Sequence, residues 1–312
     1  LQAKAKLSDA EKLKAFLTLQ WTSWMNDFPE WATYVGFPGK NNLWTDRSAS
    51  ARADQKKVNA CHKKVLDQIS KEKLANGESL TLDLAQKKIS EVIEEEKYFK
   101  DFLVLDQMSG IQIDVADLMI SSPKNRVSDF WDRLERLKTL KIVIQQNMDL
   151  MKEGMSAKVT PVRFLLEKVP RQIDQITPVV IEEGPLYKVF LEMPSSWPEN
   201  ERSEILTEAR QTIEKEVYPS LKKLRQFLVK EYIPKSRKDI AWVSLPKGLD
   251  WYGFLARRHT TTNMKPSEIH DLGLREVDRI KKEMEAIKEQ VKFKGHLIDF
   301  HNFLMSDPQF YF

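Results

Sequence analysis

The sequence predicts an all-α protein, an elongated multi-helix array with at most a minor extended segment. Three observations carry that prediction. Gly and Pro number ten and fourteen in 312 residues, too few for the dense turn punctuation of a β protein. Charged residues make up 31% of the chain and are interleaved with apolar ones, as in long helices washed by solvent on one side. Apolar residues also recur at three-to-four spacing, most clearly over 126–153, where Val127, Phe130, Trp131, Leu134, Leu137 and Val143 cover one face.

Taken in order, residues 8–27 open with Ser8-Asp9-Ala10-Glu11, a cap residue followed by acids in the first turn. They continue through Leu13, Phe16, Leu17, Trp21 and Trp24, so an amphipathic helix is expected. Residues 28–48 are irregular and carry Trp31, Tyr34, Phe37 and Trp44, as core anchors or as a ligand platform. The glycines at 36 and 39 are too close, and no Ser or Thr follows Lys40, for a phosphate-binding loop. Asp46 and Ser48 either cap the next helix or edge a cleft. Further helices are expected over 50–75, 79–106, 126–153, 160–176, 202–231 and 266–290. Pro219 predicts a kink inside the fifth of these. Pro178–Pro198 and Pro234–Asp250 break the pattern, and Ile240–Leu245 reads as a strand or extended segment. The chain reads as a single helical region 1–312, with 1–178 and 179–312 as candidate sub-lobes.

A net charge of +4 from 50 basic and 46 acidic residues gives little attraction for a phosphate backbone, so no nucleic-acid partner is expected. The charges of 279–294 read as a solvated helix face with i,i+4 pairs. Cys61 is the sole cysteine, which excludes an internal disulfide. No segment approaches the roughly 18 apolar residues of a membrane span. The chain begins at Leu1 without Met, and removal of an upstream leader or tag is expected.

Five histidines are candidates for chemistry. His296 and His301 are five residues apart and diverge by about 140° on a helix, a poor metal pair. His296 with Asp299 is better spaced, but also fits a helix terminus, while His62 faces solvent or a helix neighbour. His270 sits in the first turns of a helix begun by Pro266, either bonding a backbone carbonyl or lining a cleft. Tyr252, Arg257, His259, Thr260 and Thr261 concentrate donors that suit a peptide carbonyl or carboxylate; alternatively Thr260–Thr262 cap the next helix. Cys61-His62 lacks the through-fold geometry of a nucleophile and its base, and no catalytic residue is assigned.

The tail carries specific phrases: Leu245-Pro246-x-Gly248 with Tyr252, Thr260-Thr261, Ile269-His270-x-x-Gly273-Leu274, Glu276-Val277-x-Arg279-Ile280 and Asp307-Pro308-x-Phe310. Upstream stand Leu105-Asp106-Gln107, Pro185-Leu186-Tyr187 before Pro194, and Tyr218-Pro219 ahead of Glu231-Tyr232-x-Pro234. Together these resemble the bacterial family called domain of unknown function 885, whose members look like gluzincin-type zinc metallopeptidases. The resemblance spans nearly the whole chain, is most specific in the tail and weakest over the first hundred residues. It implies peptide hydrolysis by a zinc-bound water with a Glu base, on a helix carrying His-Glu-x-x-His. That motif is absent from residues 1–312, so the chain itself is expected to hold no metal, with zinc implied only for the full-length family.

The leading expectation is therefore an N-terminal helical half that forms one wall of a substrate cleft. Tyr252, Arg257, His259, Thr261 and His270 are its candidate substrate-binding residues. Its expected partners are a peptide substrate or the missing C-terminal catalytic half, with a homodimer as a further candidate. By the resemblance the protein is periplasmic or a membrane-anchored lipoprotein, tethered through a removed N-terminal lipid anchor. The alternative is a non-catalytic helical protein that binds a peptide or partner.

Overall fold

The computed structural model describes residues 7–311. The leader expected upstream of Leu1, and Phe312 at the end of the tail, lie outside them. The described residues are helical with no strand; one isolated parallel bridge joins Val162 and Arg237. The chain divides into two compact units, Leu1–Gly248 and Leu249–Phe312.

The first unit begins with α1 (Asp9–Asp27), where Ser8 Oγ accepts from the Glu11 amide at 3.3 Å and Glu11 Oε2 accepts from the Ser8 amide at 2.8 Å. This is the reciprocal cap that the sequence announces. After α2 (Pro29–Tyr34), α3 (Ala49–Leu66) and α4 (Asn76–Glu95) pack with α1 around Leu13, Phe16, Leu66, Leu82 and Ile89. Both α3 and α4 stop well short of residues 75 and 106. Single 3-10 turns at Lys71–Lys73 and Lys100–Phe102 follow them, and Asp106 Oδ1 then caps a turn by accepting from the Met108 and Ser109 amides. Side-chain periodicity persists through such turns, but the helical hydrogen bonds do not.

The larger core is built on α6 (Val127–Ser156), with α5 (Ile111–Ser121) and α7 (Val169–Ile176) against it. Phe130, Leu134, Leu137, Leu140 and Met151 are all fully buried along α6. Two arginines are buried with them. Arg136 donates from Nε to the Leu43 carbonyl (2.9 Å) and from Nη2 to the Lys40 carbonyl (2.7 Å) and Thr33 Oγ1 (2.9 Å). Trp44 Nε1 returns a bond to the Arg136 carbonyl at 2.7 Å, and the guanidinium lies over the Trp44 ring. The aromatic loop 28–48 is therefore anchored at Trp44. Arg133 likewise donates to the Val189 and Ser122 carbonyls and rests over Phe130. A buried guanidinium is tolerated because fixed carbonyl dipoles replace its hydration.

The remaining long helix runs from α8 (Glu199–Thr212) through a π-helical turn, Ile213–Val217, into α9 (Tyr218–Phe227) and a second π-turn, Leu228–Tyr232. Each π-turn ends two residues before a proline, Pro219 or Pro234. The wider turn absorbs the missing N–H and the ring that a regular α-helix would not accommodate, so the expected kink at Pro219 appears as a π-turn. The Tyr218 and Tyr232 hydroxyls beside these turns are buried with no partner among the described residues. Burial pushes Tyr218 up to about 12 and Tyr232 higher still, so both stay protonated.

On either side of residue 178, Ile173 and Ile176 before it and Ile181, Leu186 and Tyr187 after it share one buried cluster. One sequence expectation is corrected here. Ile240–Leu245 is not a strand: Arg237 Nη1 donates to the Asp239 and Ala241 carbonyls and to Ser244 Oγ, gathering the segment into a 3-10 turn at Trp242–Ser244.

The second unit contains most of α10 (Gly248–Thr260), then α11 (Pro266–Gln290) and α12 (Leu297–Ser306). Phe293 meets Phe300 and Phe303 at 5.1 and 5.3 Å between ring centres, and Phe303 meets Phe310 edge-on at 5.4 Å. This aromatic knot holds α12 and the tail together.

Candidate functional site

The candidate substrate-binding residues lie on α10, the link after it and the start of α11. Tyr252 and His259 are seven residues apart on α10 and both exposed. They share one face, separated by about 10 Å of helical rise. Arg257 is turned about 140° from Tyr252 around the axis, and its Nη1 lies 3.8 Å from where a Cβ on Gly253 would stand. Helix geometry therefore aligns Tyr252 with His259 and sends Arg257 elsewhere.

Thr260 and Thr262 do not cap the next helix. Thr260 Oγ1 donates back to the Ala256 carbonyl at 2.8 Å and accepts from the Thr262 amide at 3.3 Å, closing the end of α10. Between them Thr261 takes a left-handed φ of 56°, a conformation a β-branched residue adopts at a cost. The cap of α11 comes from Glu268, which accepts from the Lys265 amide at 2.7 Å, with Pro266 in the first turn. His270 is exposed, and its imidazole makes no hydrogen bond among the described residues, so the carbonyl-bonded alternative is not realised.

The other sequence candidates resolve into structural roles. Ser48 caps α3 by accepting from the Ala51 amide, and Asp46 Oδ1 accepts from the Ser48 amide (2.8 Å) and Gln146 Nε2 (2.7 Å). These contacts hold the Asp46 carboxyl below its ordinary range. His62 stands edge-on to Phe16 at 5.3 Å, and burial lowers its pKa. His296 begins α12, its amide donating to Asp299 Oδ2 at 2.8 Å. Among the described residues no three His, Cys, Asp or Glu side chains gather as a metal-binding group. The donor set that zinc requires is not assembled among the described residues.

Sequence reasoning missed a different surface. No residue of α11 is buried, and Leu272, Leu274, Val277, Ile280, Met284 and Ile287 are all exposed large apolar side chains on it. Beside these lie the expected ion pairs of Arg279 with Glu276 and Glu283, and on the opposite face that of Lys282 with Asp278. The signal was present in the 3-4 spacing of Val277, Ile280, Met284, Ile287 and Val291, hidden beneath the more conspicuous charge pattern.

The fold and this open helix define an all-α protein with a well-packed first unit and a second unit rich in uncovered apolar side chains. The family model for bacterial protein of unknown function DUF885 matches residues 29–312, and the chain belongs to that family. Its fold is similar to a crystal structure described as "the putative lipoprotein from Colwellia psychrerythraea", with a TM-score of 0.82 and 16% identity. The match covers 97% of this chain and 55% of that one; these residues span about half the length of the solved relative. Comparison with the curated proteins finds no match.

Proposed function

We propose that residues 1–312 are the N-terminal helical part of a longer zinc-peptidase-like protein, forming one wall of its substrate cleft without catalysing on their own. The observation that carries this reading is one of length: nearly all of this chain matches little more than half of the Colwellia protein. In the intact protein Tyr252 and His259 would offer donors to a peptide from the shared face of α10, with Arg257, Thr261 and His270 nearby in sequence. Zinc, its ligands and the general base would come from the remaining half. An exported, lipid-tethered location draws support from the relative's description as a lipoprotein. No helix among the described residues is long and apolar enough to cross a membrane.

Sequencing the gene past the codon for Phe312 tests the reading. A frame that continues into a His-Glu-x-x-His helix, and a longer product whose peptide hydrolysis is abolished by a chelator, are the expected results. A stop codon directly after Phe312 overturns it and leaves a helical binding protein.

A further inference from the structure

Gly273, Val277, Ile280, Met284, Ile287 and Val291 follow one another at alternating intervals of four and three residues along α11 and just past its end. That is the spacing of a helix-packing seam. Val277, Ile287 and Val291 are 51%, 51% and 59% exposed, so the seam is left largely uncovered by its own unit. His270 stands one heptad before Val277, on the same line. Gly273 has nothing within 4 Å of where a Cβ would stand, leaving room for another backbone to approach closely.

We infer that this face of α11 is the docking surface for helices of the further part of the fold, the part that the longer relative possesses and residues 1–312 lack. The inference rests on the proposed reading of the chain as part of a longer protein, and adds where the two parts meet. One observation selects that occupant over a second copy of the chain: nearly half of the structural relative lies outside the match, so a domain-sized amount of chain is available to cover the face. The rims state the partner's chemistry: basic groups opposite Glu276 and Glu283, an acidic group opposite Lys281.

The test is amide hydrogen exchange over 277–291, comparing residues 1–312 with the full natural gene product, alongside light scattering on residues 1–312. We expect a monomer, exchange slowed on the order of 100-fold in the longer product, and a lower thermal midpoint of the longer product when Ile280→Glu and Ile287→Glu are combined. The same pair should leave the midpoint of residues 1–312 unchanged. Equal exchange in both proteins overturns the docking surface while leaving the cleft-wall reading intact. A dimer of residues 1–312 that Ile280→Glu dissolves makes a second copy the occupant and also overturns it. A stop codon after Phe312 removes both proposals together, and is read from the DNA before any exchange is measured.

Discussion

Helices α6 and α11 carry apolar residues at similar spacing, yet α6 is buried along its length, guanidinium groups included, and α11 is buried nowhere. The difference lies in their neighbours. Around α6 the chain returns repeatedly, with α5, α7, α8 and α9 supplying apolar partners and loops 28–48 and 178–193 supplying carbonyls for Arg136 and Arg133. Within its own unit α11 has the aromatic knot beyond its C-terminal end and no buried residue. An amphipathic pattern thus encodes a demand for cover, and what meets the demand is topology.

Substitutions along the two helices test this contrast, beginning with the core. Leu137→Ala in α6 should cost about 2–5 kcal/mol in urea unfolding, whereas Ile280→Ala in α11 should stay within about 0.5 kcal/mol in residues 1–312. Equal losses would break the comparison. Next, Arg136→Met strands the carbonyls of Lys40 and Leu43 and the Thr33 hydroxyl. A loss of about 1–3 kcal/mol is expected, with faster amide exchange over 40–45; a loss of stability without faster exchange would show that Arg136 does not anchor the loop.

Glycines sharpen the comparison because one substitution should have opposite signs. A Cβ on Gly154 of α6 would meet the Val159 carbonyl at 2.7 Å and Phe102 Cβ at 2.9 Å, so Gly154→Ala should destabilise by about 1–3 kcal/mol. Gly273→Ala meets open space in α11 and should stabilise residues 1–312 by about 0.5–1 kcal/mol through helix propensity. Thermal unfolding of both variants checks the pair, and a shared sign would sink the argument.

The smallest effect is expected where α6 meets the start of α3. The Ser48 amide, then Gln146, lowers the Asp46 pKa beneath its ordinary 3.8. A depressed folded-state pKa gives stability that is fully present above the unfolded value and lost as pH falls through the folded one. Asp46→Asn should therefore lower stability slightly at neutral pH, where the contribution is fully present, and converge with the parent below about pH 4, flattening the acid limb; an unaltered acid limb would remove Asp46 from that account.

Some of this was legible residue by residue. The bounds of α11 follow from Pro266 in the first turn and the periodicity up to Gln290, and the cap of α1 follows from Ser8 and Glu11. Helix α5 was missed because Ile111–Ser121 is apolar on several faces and shows no clean period. Helix α10 was missed because its donors drew attention as a loop-like cluster between Gly248 and Pro266. Of the candidate site, the sequence supplied the residue types, and helix geometry decided that Tyr252 faces with His259 and Arg257 does not.

The sequence by itself determined an all-α protein, several helix termini and membership of its family, because caps, prolines and periodicity act within a few residues of one another. Only the tertiary structure decided that Arg133 and Arg136 belong in the core and that the apolar face of α11 stays open. Burial depends on which distant segments return to a given face, and no local pattern specifies that.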